Sequence, residues 1–399
     1  LASKLKVPGF RASATKAGLR SSGDSRPDLA LVMCDSMAQA AGVFTRNKVR
    51  AAPGILAEKR LRKGTARAVL VNAGIANSMT GEKGMEAATD TTAEVAKVLQ
   101  IPDTEVLPAS TGVIGVQLPV QKINRAAPRL VKALAPDGFG EVSEAILTTD
   151  TGPKVVRTTF KVGARKATLL GLAKGAGMIA PNMATMLAFL FTDVDAESKL
   201  LRKVLRNSTG RTFNRITVDG DTSTNDTVLI MAGGSLGNRP LTDSSRGAKV
   251  FAKAVEDVCA RLAEMIVRDG EGATRIARVV VKGASSDSDA HKAARAIAES
   301  LLVKTALHGA DPNWGRIAAA VGRSGAKVDQ KKLSIKIGPV TCVVKGVPVE
   351  HFDEKKAAAA MKKNTVLIEV NLGLGRAEAR YLTSDLTAEY VRINAHYRT

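Results

Sequence analysis

A threonine hydroxyl is a weak nucleophile at neutral pH. It becomes competent when its own α-amine, which titrates near 8, is free to take the proton. An internal threonine gains that amine only if the chain cuts itself. The hydroxyl attacks the preceding carbonyl, the acyl group moves from nitrogen to oxygen, and water releases it. Such a cut needs a small residue before the threonine, a tightly held backbone and oxyanion donors. The stretch Lys174-Gly-Ala-Gly-Met-Ile-Ala-Pro-Asn-Met-Ala-Thr-Met-Leu187 has these features. Ala184 precedes Thr185, Pro181-Asn182 suits a turn, and Gly175 and Gly177 permit close backbone approach. On spacing alone, an ordinary loop entering a buried helix is the better reading of the stretch.

Other chemistries lack their residues. There is no G-x-S-x-G elbow, Walker loop or kinase signature. Lys174 to Gly177 and Leu372 to Arg376 resemble dinucleotide loops only loosely. Cys34, Cys259 and Cys342 lie far apart, and His291, His308, His351 and His396 form no ligand spacing, so neither a metal site nor a cofactor is expected. The odd cysteine count fits buried thiols in a reducing compartment.

The elements that must position Thr185 alternate short apolar runs with Ala-rich stretches. Leu29 to Cys34, Ala66 to Asn72, Thr227 to Met231, Ala277 to Lys282, Leu333 to Ile337, Cys342 to Val344 and Thr365 to Asn371 read as strands. Glu82 to Leu99, Gln121 to Leu134, Ser198 to Asn207 and Asp289 to Leu302 read as helices, and Leu241 to Arg268 contains a long one. Gly163-Ala164-Arg165 turns a hairpin, Phe213 to Val218 is extended, and Asp219 to Asp226 is a polar loop, read as structural. The mixture defines an α/β (α+β) class.

Composition narrows the function. The 399 residues carry a net charge of +21, with 13 basic and four acidic side chains in the first 63. A nucleic-acid binder is the direct reading of that charge. Aromatics at 3% leave few stacking platforms, and the cations are scattered rather than blocked. No apolar run approaches the ~18 residues of a membrane helix. A soluble globular protein without nucleic-acid or membrane partners is expected.

Residues 174–187 closely resemble the processing site of the ornithine acetyltransferase family, the bifunctional glutamate N-acetyltransferases of arginine biosynthesis. Six further segments match in order: Ser110 to Gly115, Thr148 to Thr151 with Lys154, Asn214 to Asp226, Asp269 to Thr274, Asp311 to Arg316, and Asn394 to Thr399. The resemblance implies that the chain cuts between Ala184 and Thr185. It would give chains 1–184 and 185–399, with Thr185 as nucleophile of both cleavage and transfer. It implies Thr111 and Gly112 as oxyanion donors, Lys174 against a substrate carboxylate and Glu271 against a substrate ammonium. Thr148 would also bind substrate, with Thr149 as its neighbouring alternative, and Asn394 and Thr399 would close the pocket.

The implied reaction is ping-pong. Thr185 takes acetyl from N-acetylornithine, releases ornithine, and passes the group to glutamate. Acetyl-CoA, used by some members, is the alternative donor. The implied fold is an αββα-like sandwich of mixed sheets between helical layers, self-cleaved into two intertwined chains. The fragments would stay paired as a heterodimer, and a dimer of heterodimers (a heterotetramer) follows by the same resemblance.

Two other readings stand beside this one: an N-terminal-nucleophile aminopeptidase or amidase, and a basic nucleic-acid-binding protein. Trp314 and His308 are expected to be structural. The basic, Ser- and Ala-rich start at Leu1, with Ser300 to Thr305 and Gly315 to Val321, resembles the plant and algal branch. A plastid protein is therefore expected, with the cytoplasm as alternative.

Overall fold

The computed structural model describes residues 5–20, 24–180 and 186–396. The expected residues Ala184, Thr185 and Thr399 lie outside them, as do Pro181 and Asn182. In chain order the first part comprises β1 (Phe10–Thr15), β2 (Leu29–Phe44), α1 (Ala52–Arg60), β3 (Thr65–Ile75), α2 (Gly81–Leu99), β4 (Val106–Val113), α3 (Val120–Lys132), α4 (Phe139–Ala145), β5 (Lys154–Val162) and β6 (Arg165–Lys174). Then follow β7 (Leu187–Thr192), α5 (Ser198–Arg211), β8 (Ile216–Thr217), β9 (Thr227–Ala232), α6 (Ala248–Arg268) and β10 (Ile276–Ala284). The last part comprises α7 (Asp287–Ala298), α8 (Leu301–His308), α9 (Trp314–Gly322), β11 (Ser334–Ile337), β12 (Val340–Val344), β13 (Val347–Pro348), α10 (Glu354–Met361), β14 (Thr365–Asn371), β15 (Ala377–Ser384) and α11 (Ala388–His396).

The strands form two mixed sheets with helices packed against them, so the α/β class holds. The first sheet runs β4-β3-β2-β9-β7-β6-β5, with β1 paired to β2; the second runs β13-β12-β11-β14-β10-β15-β8. At the centre of the first sheet, β7 and β9 lie parallel and every residue is buried. Both faces there are covered, which is why these strands read as unbroken apolar runs rather than alternating ones. One face packs on α5 and α6 through Leu201, Leu205, Phe251, Val258 and Leu262. Gly171 on β6 admits α6 closely: a Cβ there would meet Val258 Cγ1 at 2.6 Å. The opposite face packs on α4 through Phe139 and Val142; α2 and α3 lie on the α5–α6 side, where Val95, Ala127 and Leu130 meet Leu29, Leu31 and Leu70 of β2 and β3. The second sheet covers α7 with Val279, Val281 and Ile368.

Several elements differ from the sequence reading. The run Met186 to Phe191 enters a strand, not a helix. Asp289 to Leu302 is two helices, because the Ser300 side chain caps α8 and interrupts the run. Phe213 to Val218 is mostly a tight turn, Phe213–Arg215, followed by the two-residue β8.

Candidate active site

A cavity of about 210 Å³ opens where the ends of β4 and β6 meet the loop before β9, the turn after α6 and helix α11. Thr111, Gly112, Thr148, Lys174, Glu271 and Asn394 all line it, and Thr149 stands beside Thr148. Six expected residues, spread from position 111 to 394, thus converge on one hollow.

Gly112 is required where β4 leaves the sheet. Its φ is +131°, and a Cβ would lie 2.1 Å from the carbonyl carbon of Gly74. No L side chain fits there. The preceding Thr111 accepts a hydrogen bond from Lys174 Nζ at 3.2 Å. An ammonium only donates, so the Thr111 oxygen accepts and its own O–H remains available for a developing oxyanion.

Lys174 is fully buried at the end of β6, and burial lowers its pKa. The carboxylates of Asp150, Glu271 and Asp226 oppose that shift. Asp150 accepts N–H bonds from Gly175 at 2.6 Å and Thr148 at 2.9 Å, and an ammonium bond from Lys154 at 2.7 Å. Burial alone would raise this carboxyl, but the ammonium groups of Lys174 and Lys154 outweigh it and hold the group below the usual carboxylate range. Lys154 reaches across to Asp269 at 2.5 Å. One buried ammonium therefore ties together the Thr148 segment, the Lys174 strand and the turn that carries Glu271.

Glu271 is buried, and its N–H donates to Ala176 O at 2.9 Å. Its Oε2 accepts from Asn394 Nδ2 at 2.7 Å, which seats α11 over the cavity. Gly177 makes room for this carboxylate: a Cβ at position 177 would lie 2.4 Å from the Glu271 carboxyl carbon.

The 219–226 loop, read as structural, both lines the cavity and grips the chain on either side of residues 181–185. Asp219 accepts the N–H groups of Met178 at 2.6 Å and Ile179 at 2.8 Å. Asp226 accepts the N–H of Met186 at 3.1 Å. Asn225 Nδ2 donates to Ala76 O and Ser110 O at 2.7 and 2.8 Å, locking the loop to the ends of β3 and β4. Burial pushes Asp219 up to about 6 despite these backbone bonds. The Tyr390 hydroxyl lies 3.4 Å from Asp219, and its pKa is raised chiefly by burial.

Sequence reasoning missed Asp150, Asp219, Asp226, Asn225 and Tyr390 as site residues. His308 bonds Asp385 at 3.2 Å and Trp314 packs against the core of the second sheet, away from the cavity lining.

One buried cation, one buried carboxylate and a set of neutral donors around a small hollow suit a charged amino acid. Fold and site together define an amino-acid-handling α/β enzyme. The chain belongs to the ArgJ family, whose model matches residues 11–399. It is 48% identical over 395 residues to the arginine biosynthesis bifunctional protein ArgJ of Geobacter sulfurreducens, covering 99% of this chain and 100% of that protein. The solved ArgJ of Bacillus halodurans is 45% identical with a TM-score of 0.51, covering 52% of this chain and 98% of that one. The ornithine acetyltransferase of Mycobacterium tuberculosis, solved with ornithine, is 35% identical with a TM-score of 0.38, covering 44% of this chain and 92% of that one.

Proposed function

We propose that this chain is a self-processing acetyltransferase of arginine biosynthesis that carries acetyl from N-acetylornithine to glutamate. The convergence of Thr111, Gly112, Thr148, Lys174, Glu271 and Asn394 on one cavity carries the reading. In the first half-reaction Thr185 Oγ attacks the acetyl carbonyl and its proton passes to the Thr185 α-amine. The oxyanion forms against Thr111 O–H and Gly112 N–H. Such a donor is worth roughly 3–4 kcal/mol when aimed at the developing charge. The C–N bond breaks, the proton moves to the departing ornithine nitrogen, and acetyl remains as an ester. Glutamate's amine then attacks that ester and regenerates the hydroxyl.

In the same reading the chain divides into 1–184 and 185–399, and Thr399 joins Asn394 at the pocket. The half-length solved chain supports this division: 98% of it corresponds to only 52% of the present chain. Nucleophile, base and oxyanion donors all come from the protein, so the reaction needs no cofactor. Acetyl-CoA is an alternative donor, and the paired fragments assemble as a heterotetramer. The relatives compared are bacterial and leave the plastid expectation without support; the cytoplasm is the compartment kept here. Among the described residues no helix is long and apolar enough to cross a membrane.

Intact-mass measurement of the wild type beside Thr185→Ala tests the reading. Two wild-type fragments meeting at Ala184/Thr185, an uncut variant, and N-acetylornithine:glutamate transfer by the wild type alone are expected. An active wild type that remains one chain would overturn it.

A further inference from the structure

The transfer chemistry above makes no use of the net charge of +21. Many surface arginines meet carboxylates: Arg268 and Arg278 share Glu264, and Arg295, Arg380 and Arg392 each hold a glutamate. One groove departs from this pattern. It holds about 730 Å³ between the end of β2, α1 and α5, and Arg46, Arg50, Arg62, Arg202 and Arg206 all line it. Glu58 is the single acid of its lining among the described residues, and Arg50 Nη2 already takes it at 2.7 Å. Arg202 Nη2 donates to the carbonyls of Leu61 and Arg62, both at 3.2 Å. Arg46, Arg62 and Arg206 are exposed and meet no carboxylate among the described residues. Arg50 Nε is buried without an acceptor among them, a donor that calls for an explanation. Lys199 and Lys203 extend the strip along α5 into a neighbouring hollow. Such a cluster weakens the fold by self-repulsion until an anion sits within it.

The shape of the groove narrows the anion. Its floor is apolar, with half-buried Val43 and Phe44 beside buried Leu61. A guanidinium fork matches phosphate oxygens two at a time, and an aromatic floor seats a flat ring. The volume falls in the ~300–1,000 Å³ range of small-molecule sites. A simple carboxylate needs one or two cations and no aromatic floor.

We propose that this groove binds a nucleoside polyphosphate, with the base on the Phe44 floor and the phosphates among Arg46, Arg50, Arg62 and Arg206. The groove stands back to back with the candidate active site. Thr45 Oγ1 donates to Ser223 O at 2.7 Å, and Asn47 Nδ2 donates to Thr222 O at 2.9 Å. The N–H groups of Thr45 and Ala51 donate to Asp226 O and Thr224 O, both at 3.0 Å. Ser223 and Thr224 line the candidate active-site cavity, so the segment that carries Arg46 and Arg50 also braces its wall.

The site stands on its own charge and shape, and its test reads binding directly, whatever becomes of the transfer reading. ATP in EDTA, titrated calorimetrically into the full wild-type protein at low ionic strength, should fill a single site per chain. Arg46→Gln/Arg206→Gln removes two exposed guanidinium groups that bond nothing in the fold, so the variant should fold. It should weaken ATP at least about tenfold, through the loss of charge-assisted bonds. Lys282→Gln/Arg295→Gln takes the same charge from elsewhere and should change binding by less than about threefold. A free nucleotide and the nucleotide arm of acetyl-CoA share this chemistry. Tighter binding of acetyl-CoA, lost in the same variant, assigns the arm; tighter binding of ATP assigns a free nucleotide. No saturable heat from either ligand, or equal losses in the two variants, overturns the proposal. Inorganic triphosphate that binds as tightly as ATP also overturns it, because the base then has no seat. Single-stranded RNA that displaces ATP with a steeper salt dependence overturns it in favour of a nucleic-acid face.

Discussion

Glu271→Gln tests the proposed pairing of Glu271 with a substrate ammonium. The replacement is isosteric, and a glutamine carbonyl still accepts the Asn394 Nδ2 bond measured at 2.7 Å, so α11 stays seated. The backbone bond to Ala176 is untouched. What disappears is one charge-assisted hydrogen bond in a buried setting, worth about 1.5–3 kcal/mol. At about 1.4 kcal/mol per decade, kcat/KM falls roughly 10- to 150-fold. N-acetylornithine keeps a free side-chain ammonium throughout its half-reaction, whereas glutamate's amine must lose its charge to attack. In a ping-pong scheme kcat/KM for each substrate reports its own half. The loss should thus appear for N-acetylornithine, with glutamate's value held within about threefold. Initial rates over a grid of both substrates measure the two. Equal losses in both halves, or a donor loss below about threefold, would refute the assignment of Glu271 to the ammonium.

Gly177→Ala should lower transfer at least tenfold with little change in melting temperature, because its Cβ would displace the Glu271 carboxylate 2.4 Å away; full activity would contradict the close fit. Lys154→Met should cost about 3–5 kcal/mol in denaturant unfolding, since it strands Asp150 and Asp269, bonded at 2.7 and 2.5 Å. A loss under about 1 kcal/mol would remove Lys154 as the hub of the site. Asp219, with a folded-state pKa near 6, keeps a proton that the unfolded chain releases near pH 4. Its ionisation therefore weakens the fold by roughly 3 kcal/mol as pH rises through that window. Asp219→Asn should lack this slope, which unfolding curves at several pH values between about 4 and 7 would reveal.

The residues that line the cavity were legible because they sit in short segments of glycine, threonine and charge whose order matches a known family. Their physical support was not. Asp150 and Lys154 are four apart and look like an ordinary local pair; only the fold brings Asp269 to the same ammonium. The 219–226 loop looked like a connector. Its density of carboxylate, hydroxyl and amide groups was the available signal, since a plain surface turn has no use for an Asn bonding two distant carbonyls. The strand β7 was missed for a different reason. A continuous apolar run carries no period, so a buried strand and a buried helix look alike until the neighbours are known. The helix α6 showed its period plainly, with one face buried along its length.

The proposed cut falls between two paired strands, which would let the chain lose a peptide bond without coming apart. Residues 175–186 connect β6 to β7, which are antiparallel neighbours paired in register from Lys174 opposite Leu187 to Leu169 opposite Thr192. Hydrogen bonds and the shared core would therefore still hold the two new ends. The core on the α5–α6 face draws Val156, Leu169 and Ala173 from before the cut, and Ala188, Val204 and Phe251 from after it. Cavity walls are divided likewise, with Thr111, Gly112, Thr148 and Lys174 on one side of the bond and Glu271 and Asn394 on the other. Separating the fragments would break both the β2–β9 and the β6–β7 pairings, expose four strand edges and open that core, a loss far larger than the freedom gained. A cut there would leave the walls of the hollow in place.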